Sequence, residues 1–268
     1  MIPYPNINPD LIRIGPFHVR WYGIMYSLGF IAAYYLIRRQ ERARPIGLTA
    51  PLVQDFIFQL AIGLIAGARL GYVLFYQYPN WSDYLLHPLE IIAIWHGGMS
   101  FHGGLIGCVI AGWWFCRQKK LPFWAVADSV VVTAPIGLGL GRIGNFINAE
   151  LYGRVTNVPW AMIFPGGGPF PRHPSQLYEA LMEGAVLFTL LWFLRKKSFP
   201  NGMMVAFFLF FYGSFRFFLE FFREPDMQIG FILGQLTMGQ LFCSIMVVAG
   251  LLAILFLRRH NSDSGAQL

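Results

Sequence analysis

The sequence predicts an all-α polytopic membrane protein, and its composition and hydrophobic patterning carry that prediction. Hydrophobic residues make up 56% of the 268 residues and charged residues only 12%, whereas ordinary soluble domains carry about 25% charge. Seven apolar segments recur along the chain, each about long enough to cross ~30 Å of hydrocarbon at ~1.5 Å per residue. Because backbone groups in lipid must bond within their own segment, each segment is expected to be a helix.

The predicted spans fill most of the chain, so we expect a single integral membrane domain over residues 1–268. The spans are placed near residues 19–37, 54–77, 91–116, 123–141, 177–194, 203–222 and 237–257. The longest connection, about residues 145–175, contains FPGGGPFPRHP, which is too rich in glycine and proline for a regular element. Loops of this length often bind or cover a substrate.

The basic residues predict the orientation of the chain in the membrane. RRQERARP follows the first span, RQKK the third, RKK the fifth and RRH the seventh, so all four basic segments lie on one side. The positive-inside rule then places that side and the C-terminus in the cytoplasm, with the N-terminus outside, facing the periplasm. Because the basic residues are spread over loops and form no single patch, the net charge of +7 does not indicate a nucleic-acid partner.

The glycines predict close helix packing, and the histidines and cysteines predict no metal site. Gly63, Gly67 and Gly71 form a repeated GxxxG motif, and the same spacing separates Gly103 from Gly107; small residues at this spacing let two helix backbones approach. In HGGMSFHGGLIG, residues 96–107, the two Gly-Gly pairs indicate that a helix begins here or that its backbone opens. Its two histidines are six residues apart and do not share a helix face, and no cysteine pair has ligand spacing.

A set of arginines outside the basic loops suggests a functional site. The four loops contain twelve of the twenty Lys and Arg residues, and the other eight are all arginine. Arginine without lysine favours paired recognition of phosphate or carboxylate, although ion pairs between helices are an alternative, as for Arg216 and Glu220 at i and i+4. Because several spans place arginines toward one leaflet, we favour a site. The eight are Arg13, Arg20, Arg69, Arg142, Arg154, Arg172, Arg216 and Arg223.

The segment GRIGNFINAELYGR contains the densest group of candidate site residues. Arg142 and Asn145 are three residues apart and can point the same way on a helix. Asn145 can hold the guanidinium or a substrate oxygen, and Glu150 can neutralise an arginine or orient a histidine. His102 is a further candidate because the predicted topology places it in the same outer half of the membrane as Arg142.

Four segments, in this order on a seven-span chain, resemble the bacterial prolipoprotein diacylglyceryl transferases. They are HGGMSFHGGLIG, GRIGNFINAELYGR, RHPSQLYE and YGSFRFFLEFFREPD. The resemblance extends from RWYGIMYSLGF to MGQLFCSIMVVAG, nearly the whole chain. It implies an inner-membrane enzyme that moves the diacylglyceryl group of phosphatidylglycerol to the lipobox cysteine of a prolipoprotein signal peptide, at the periplasmic face. A thioether forms, glycerol phosphate leaves, and no metal or cofactor is expected.

The resemblance also implies a set of site residues. By resemblance, catalysis falls to His102, Arg142 and Arg216, with His102, Glu150 or a water as the base that activates the thiol. An anion transporter and a purely structural scaffold are the alternative functions; the first predicts two matching halves, and the second leaves the arginines unexplained. The positions that match the family's site or motif residues are Tyr26, His102, Arg142, Asn145, Glu150, Gly153, Arg216 and Glu220.

Overall fold

The computed structural model describes residues 2–15, 17–78, 81–224, 231–233 and 236–265, and most of them are helical. Helices α7 (Ser175–Glu179) and α8 (Leu187–Leu194) are joined by a wider π-helical segment, Ala180–Val186, so that Ser175–Leu194 is one continuous helix. The helices are α1 (Trp21–Ala43), α2 (Ala50–Phe75), α3 (Trp81–Leu86), α4 (Leu89–Ile92), α5 (Phe101–Lys119), α6 (Phe123–Ile147), α7 (Ser175–Glu179), α8 (Leu187–Leu194), α9 (Met203–Leu219) and α10 (Met238–Gly265).

The helices identify a multi-pass membrane protein. Within the described ranges, four helices are long and apolar enough to cross a membrane: Ala50–Phe75, Phe123–Ile147, Ser175–Leu194 and Met238–His260. Met203–Leu219 is a shorter apolar helix. Each of the seven predicted spans overlaps a helix, and the long helix of the third, predicted near 91–116, begins within HGGMSFHGGLIG. That helix begins at Phe101, because Gly97 and Gly98 adopt positive φ and the Ser100 side chain caps the first turn by accepting from the Gly103 amide.

Two short hairpins correct the all-α prediction. Strand β1 (Asp10–Ile14) pairs antiparallel with β2 (Phe17–Arg20), and β3 (Phe231–Leu233) pairs antiparallel with β4 (Leu236–Thr237). The sequence FHVR alternates apolar and polar residues, which is the pattern of a half-exposed strand. Each hairpin directly precedes a long helix, α1 or α10.

The chain forms two compact units. One consists of Met1–Tyr35 and Asp128–Leu268, and the other of Leu36–Ala127. In the second unit, α2 and α5 pack through their glycines as predicted. A Cβ on Gly67 would lie 2.4 Å from the Gly103 carbonyl oxygen, and one on Gly63 would lie 2.7 Å from that of Gly107. Only glycine permits this backbone contact.

Arg69 has a structural role in the second unit. Its buried guanidinium donates to backbone carbonyl oxygens: Nε to Ile91 at 3.0 Å, Nη2 to Glu90 at 2.5 Å, and Nη1 to Gly98 at 3.2 Å and to Gly97. These carbonyls belong to α4 and to the residues around the glycine turn. For this arginine the structural alternative holds, because its donors fix the backbone that leads into α5.

The first unit has an apolar core between α6, α8, α9 and α10. Val132, Leu187, Leu191 and Met203 are fully buried there, and Ile254 packs with them. The Asp128 carboxylate accepts from the backbone amides of Gly202 and Val205 and so caps the start of α9. This core holds together the helices that carry the site described below.

Candidate functional site

Five buried or half-buried charged side chains meet inside the first unit, and we call them the polar cluster. Its members come from α6, from the continuous helix Ser175–Leu194 and from α9 with its C-terminal turn. Arg142, Arg216 and Glu220 were predicted site residues; Glu179 and Glu183 were not. The residues of the polar cluster are Arg142, Glu179, Glu183, Arg216 and Glu220.

Arg142 contacts the cluster through one edge of its guanidinium. Its Nε lies 2.6 Å from Glu179 Oε2 and 3.9 Å from Glu183 Oε2. Within the residues that the structure describes, neither Nη atom has an ion pair or a hydrogen bond. The side chain is 19% exposed, against 2% for that of Glu179. Arg142 therefore keeps a two-nitrogen edge that can bind a further anion.

Arg216 is surrounded by carboxylates. Its Nη2 lies 2.8 Å from Glu220 Oε2, Nη1 donates to Glu179 Oε1 at 3.4 Å, and Nε lies 3.8 Å from Glu183 Oε1. All three nitrogens thus face a protein anion, and the residue is 92% buried from solvent. Glu179 contacts both arginines and so joins them into one group.

Helix packing explains why the arginines and carboxylates meet. A Cβ on Gly139 would lie 3.0 Å from the Gly184 Cα, so α6 and the helix Ser175–Leu194 touch backbone to backbone. Arg142 follows Gly139 by three residues, and Glu183 directly precedes Gly184, so both side chains project close to this contact. The π-helical segment begins right after Glu179 and contains Glu183; segments of this kind are frequent at functional sites.

The start of α10 holds Glu220 in place. Thr237 Oγ1 donates to Glu220 Oε1 at 3.1 Å. Thr237 and Gln240 form a capping box, in which each side chain accepts from the other residue's backbone amide. The helix cap therefore also orients the carboxylate that faces Arg216.

Asn145 and Glu150 form a separate pair after Arg142. Asn145 is buried, and its Nδ2 donates to Glu150 Oε1 at 2.7 Å; among the described residues, no hydrogen bond joins it to Arg142. Gln176 Nε2 donates to the backbone carbonyl of Glu150 at 2.7 Å. Asn145 therefore holds the exposed carboxylate of Glu150, and Gln176 holds the Glu150 backbone.

Arginines order the connection between α6 and α7. Arg172 Nε donates to Gly167 O at 2.8 Å, and its Nη1 pairs with Glu224 at 2.9 Å. Arg154 Nε donates to the backbone carbonyl of Arg223 at 2.8 Å. His173 lies in the same connection, and its burial lowers the pKa of its imidazole. The glycine- and proline-rich connection is thus tied to the residues just after α9.

Gly153 has a steric role in the same segment. Its amide donates to His173 O at 2.9 Å, and a Cβ would lie 2.4 Å from Phe222 O and 2.8 Å from His173 O. Because both oxygens belong to the backbone, they cannot move aside as a flexible side chain could. The family motif position is therefore occupied by a residue that lets two chain segments touch.

Tyr26 and His102 are two further residues of the predicted set. Tyr26 is 44% exposed, and its hydroxyl lies 3.4 Å from that of Tyr22. His102 lies in the first turn of α5, in the second unit, with its exposed ring edge-on to Phe101. In the described part of the chain, no three His, Cys, Asp or Glu side chains are placed to hold a metal ion.

Glu179 and Glu183 are the site residues that sequence reasoning missed. The motif RHPSQLYE ends on Glu179, and the following residues ALMEG bring a second glutamate four positions later. Two carboxylates at i and i+4 in an apolar segment would repel each other unless cations face them. The spacing of Glu179 and Glu183 therefore indicated that arginines from other helices face them.

Comparison with known proteins shows the family. Residues 9–256 match the family model described as prolipoprotein diacylglyceryl transferase. Three relatives carry the name phosphatidylglycerol–prolipoprotein diacylglyceryl transferase. The chain is 56% identical to one from Geobacter sulfurreducens, with 96% of this chain and 98% of that protein covered. It is 50% identical to one from Desulfotalea psychrophila, with 98% of both covered. It is 48% identical to one from Vibrio vulnificus, with 98% of this chain and 96% of that protein covered. The chain belongs to the prolipoprotein diacylglyceryl transferase family.

Proposed function

We propose that this chain is the enzyme that transfers the diacylglyceryl group of phosphatidylglycerol to the lipobox cysteine of a prolipoprotein, the first step of lipoprotein maturation. A thioether forms and glycerol phosphate leaves. Family membership over residues 9–256 and the names of the relatives support this activity. The structural observation that carries it is the Nη edge of Arg142, which pairs with no described residue and lies in a buried cluster between apolar helices.

The chemistry requires a cation at the phosphate. As the thiolate attacks the lipid carbon, the departing phosphate passes from one negative charge towards two. A fixed guanidinium at that phosphate therefore stabilises the transition state more than the bound lipid. Arg142 meets this need because its Nε is fixed on Glu179, 2.6 Å away, while its Nη atoms point to no described protein anion.

The two arginines take different parts in this proposal. Arg142 binds the phosphate through two parallel N–H donors, the geometry that suits a guanidinium and an oxyanion. Arg216 shares Glu179 with Arg142 and adds positive charge close by, while Glu179, Glu183 and Glu220 surround its own donors. Arg216 thus contributes to catalysis chiefly through its field and by fixing Glu179.

The remaining predicted residues surround the headgroup and loop. Glu150, fixed by Asn145, offers an exposed carboxylate that can accept hydrogen bonds from the hydroxyls of the glycerol headgroup. Glu220 orients Arg216, and Gly153 lets the connecting segment pack against the residues after α9. Tyr26 offers a partly exposed hydroxyl on α1 for the lipid.

A base must take the proton of the substrate thiol. A free thiol has a pKa of ~8.5 and is only a few per cent ionised at neutral pH, so a base beside it raises the fraction of reactive thiolate. His102, Glu150 and a water are the candidate bases.

The proposed topology has seven spans in the bacterial inner membrane. The N-terminus and the connection between α6 and α7 face the periplasm, and the C-terminus faces the cytoplasm. The four basic segments on one side of the predicted spans support this orientation. It exposes the site to phosphatidylglycerol of the outer leaflet and to the prolipoprotein signal peptide.

Purified full-length protein with phosphatidylglycerol and a lipobox peptide tests the activity. We expect glycerol phosphate and thioether-linked peptide in equal amounts, and no product from a peptide whose cysteine is replaced by serine. Absence of both products, under conditions in which the Geobacter sulfurreducens relative makes them, would overturn the proposal. Uptake of an anionic solute into proteoliposomes without lipid turnover would favour the transporter instead.

A further inference from the structure

Glu183 differs from the other two carboxylates of the polar cluster. It is fully buried, and neither of its oxygens has a hydrogen bond to any described residue. Its closest guanidinium nitrogens are Arg216 Nε at 3.8 Å and Arg142 Nε at 3.9 Å. By contrast, Glu179 approaches Arg142 to 2.6 Å, and Glu220 approaches Arg216 to 2.8 Å.

Hydrogen bonds separate the three carboxylates in the same way. Glu179 Oε1 accepts from Arg216, and Glu220 Oε1 accepts from Thr237. A buried ionised carboxylate is very costly unless it is paired and hydrogen-bonded. Glu179 and Glu220 are both paired with an arginine and hydrogen-bonded, whereas Glu183 accepts no hydrogen bond from a described residue.

The charge of the cluster points in the same direction. Two guanidinium groups face three carboxyl groups, so full ionisation would leave one excess negative charge in a buried site. A phosphodiester carries a negative charge and would be repelled by that excess, most strongly where water is excluded. Within these five residues, neutralising one of the three carboxyl groups therefore favours the binding of such an anion.

This inference rests on the proposed function: we propose that Glu183 is a positioning residue that carries a proton, so that the polar cluster is electrically neutral when the lipid phosphate binds to Arg142. The neutral carboxyl group fills the space between Arg142 Nε and Arg216 Nε and keeps the two guanidinium groups apart. Glu179 and Glu220 supply the two negative charges that balance Arg142 and Arg216.

The charged and titratable groups that face Glu183 come from every helix packed around it. Glu179 lies on its own helix, Arg142 on α6, and Arg216 and Tyr212 on α9. Arg223, after α9, and Cys243, on α10, act on it from farther away. The two nearest cations oppose protonation and Glu179 favours it, so the burial of Glu183 and its missing hydrogen bonds decide its state.

The test compares E183Q with E183A and E179Q in the full-length enzyme. Glutamine reproduces the size and neutrality of a protonated glutamate, so E183Q should lose much less kcat/KM for phosphatidylglycerol at neutral pH than E183A or E179Q. Alanine removes the spacer and should lose at least about tenfold in kcat/KM, while E179Q, which leaves Arg142 without its anion, should lose more than about a hundredfold. Comparable losses in E183Q and E179Q would overturn the inference.

A pH series provides a readout that a purely structural role would not change. In the wild type, deprotonation of Glu183 adds a negative charge beside the phosphate, so KM for phosphatidylglycerol should rise as the pH is raised. In E183Q this rise should be absent. A rise of equal size in both enzymes would contradict the proposal, and the wild-type series remains decisive if E183Q does not fold, because a KM independent of pH would refute it. Lack of product from the wild type itself would instead reject the proposed function.

Discussion

Arg142→Lys is the sharpest test of the phosphate site, because it keeps the charge and changes the geometry. In the structure, Arg142 Nε pairs with Glu179 at 2.6 Å while the two Nη atoms face no described protein partner. Lysine has one nitrogen where arginine has three. It can pair with Glu179 or bind the phosphate at full strength, but not both.

The expected loss follows from counting these contacts. Replacing two parallel donors to the phosphate with at most one removes a charge-assisted hydrogen bond worth about 1.5–3 kcal/mol. If the lysine turns to the phosphate, Glu179 keeps only Arg216, at 3.4 Å, and its burial without a close cation adds a penalty. Together these terms give about 3–4 kcal/mol, a decrease in kcat/KM of roughly 10²–10³-fold, which is the scale measured for removal of one oxyanion donor.

Release of glycerol phosphate from phosphatidylglycerol, with a lipobox peptide as acceptor, measures this loss. Arg20→Lys is a matched control, because the Arg20 side chain is 70% exposed in β2 and its closest approach to Asp10 is 3.5 Å; its kcat/KM should stay within about twofold of the wild type. The purified variants should elute alike and melt at similar temperatures. An Arg142→Lys enzyme within threefold of wild-type turnover would refute the paired contact.

Three further outcomes follow from the structure. Gly153→Ala places a Cβ 2.4 Å from the Phe222 carbonyl oxygen and should lower the free energy of unfolding by about 1–3 kcal/mol. Gly23→Ala is the control, because no atom lies within 4 Å of its Cβ, and it should leave the free energy of unfolding unchanged. Thermal unfolding in detergent compares the two variants. Because burial lowers the pKa of His173, its neutral form stabilises the fold above the ordinary pKa of about 6.5, and this contribution is lost as the pH falls through the lowered value. Hydrogen exchange of the Gly153 amide, which donates to His173 O, should therefore accelerate on acidification and respond less in His173→Gln. If His102 is the base, His102→Ala should lower kcat by about 10²–10⁴-fold at neutral pH; unchanged rates across neutral pH would leave Glu150 or water.

The helices and their glycine contacts were predictable because they depend on local patterns. Long apolar runs predicted helices in the right places, and the GxxxG spacing of Gly63, Gly67 and Gly71 predicted close helix packing, for which the structure supplies α5 as the partner. The arginine census also singled out Arg142 and Arg216, which the structure brings to one carboxylate, Glu179. Composition carried this information because charged residues are rare in apolar segments and stand out there.

The partners of those arginines could not be read in the same way. Arg69 and Arg216 look alike in sequence, yet one binds four backbone carbonyls and the other faces three carboxylates. Which of these occurs depends on contacts between residues distant in the chain, such as Gly139 with Gly184. The Gly97 and Gly98 turn and the Ser100 cap fix the start of α5, where the two Gly-Gly pairs of the sequence had left a helix start or an opened backbone as the alternatives.

The polar cluster is difficult to explain by stability alone. A buried ion pair recovers about its own desolvation cost, and apolar residues of similar volume often stabilise a protein as well or better. The cluster has more carboxyl groups than two arginines need, and one of them, Glu183, makes no hydrogen bond to a described residue. Such a group makes sense if the fold fixes two guanidinium groups before any substrate arrives, because donors that are already oriented need not reorganise as charge develops on the phosphate. Burying the cluster would then lower the stability of the fold and, in the same arrangement, lower the activation barrier of diacylglyceryl transfer.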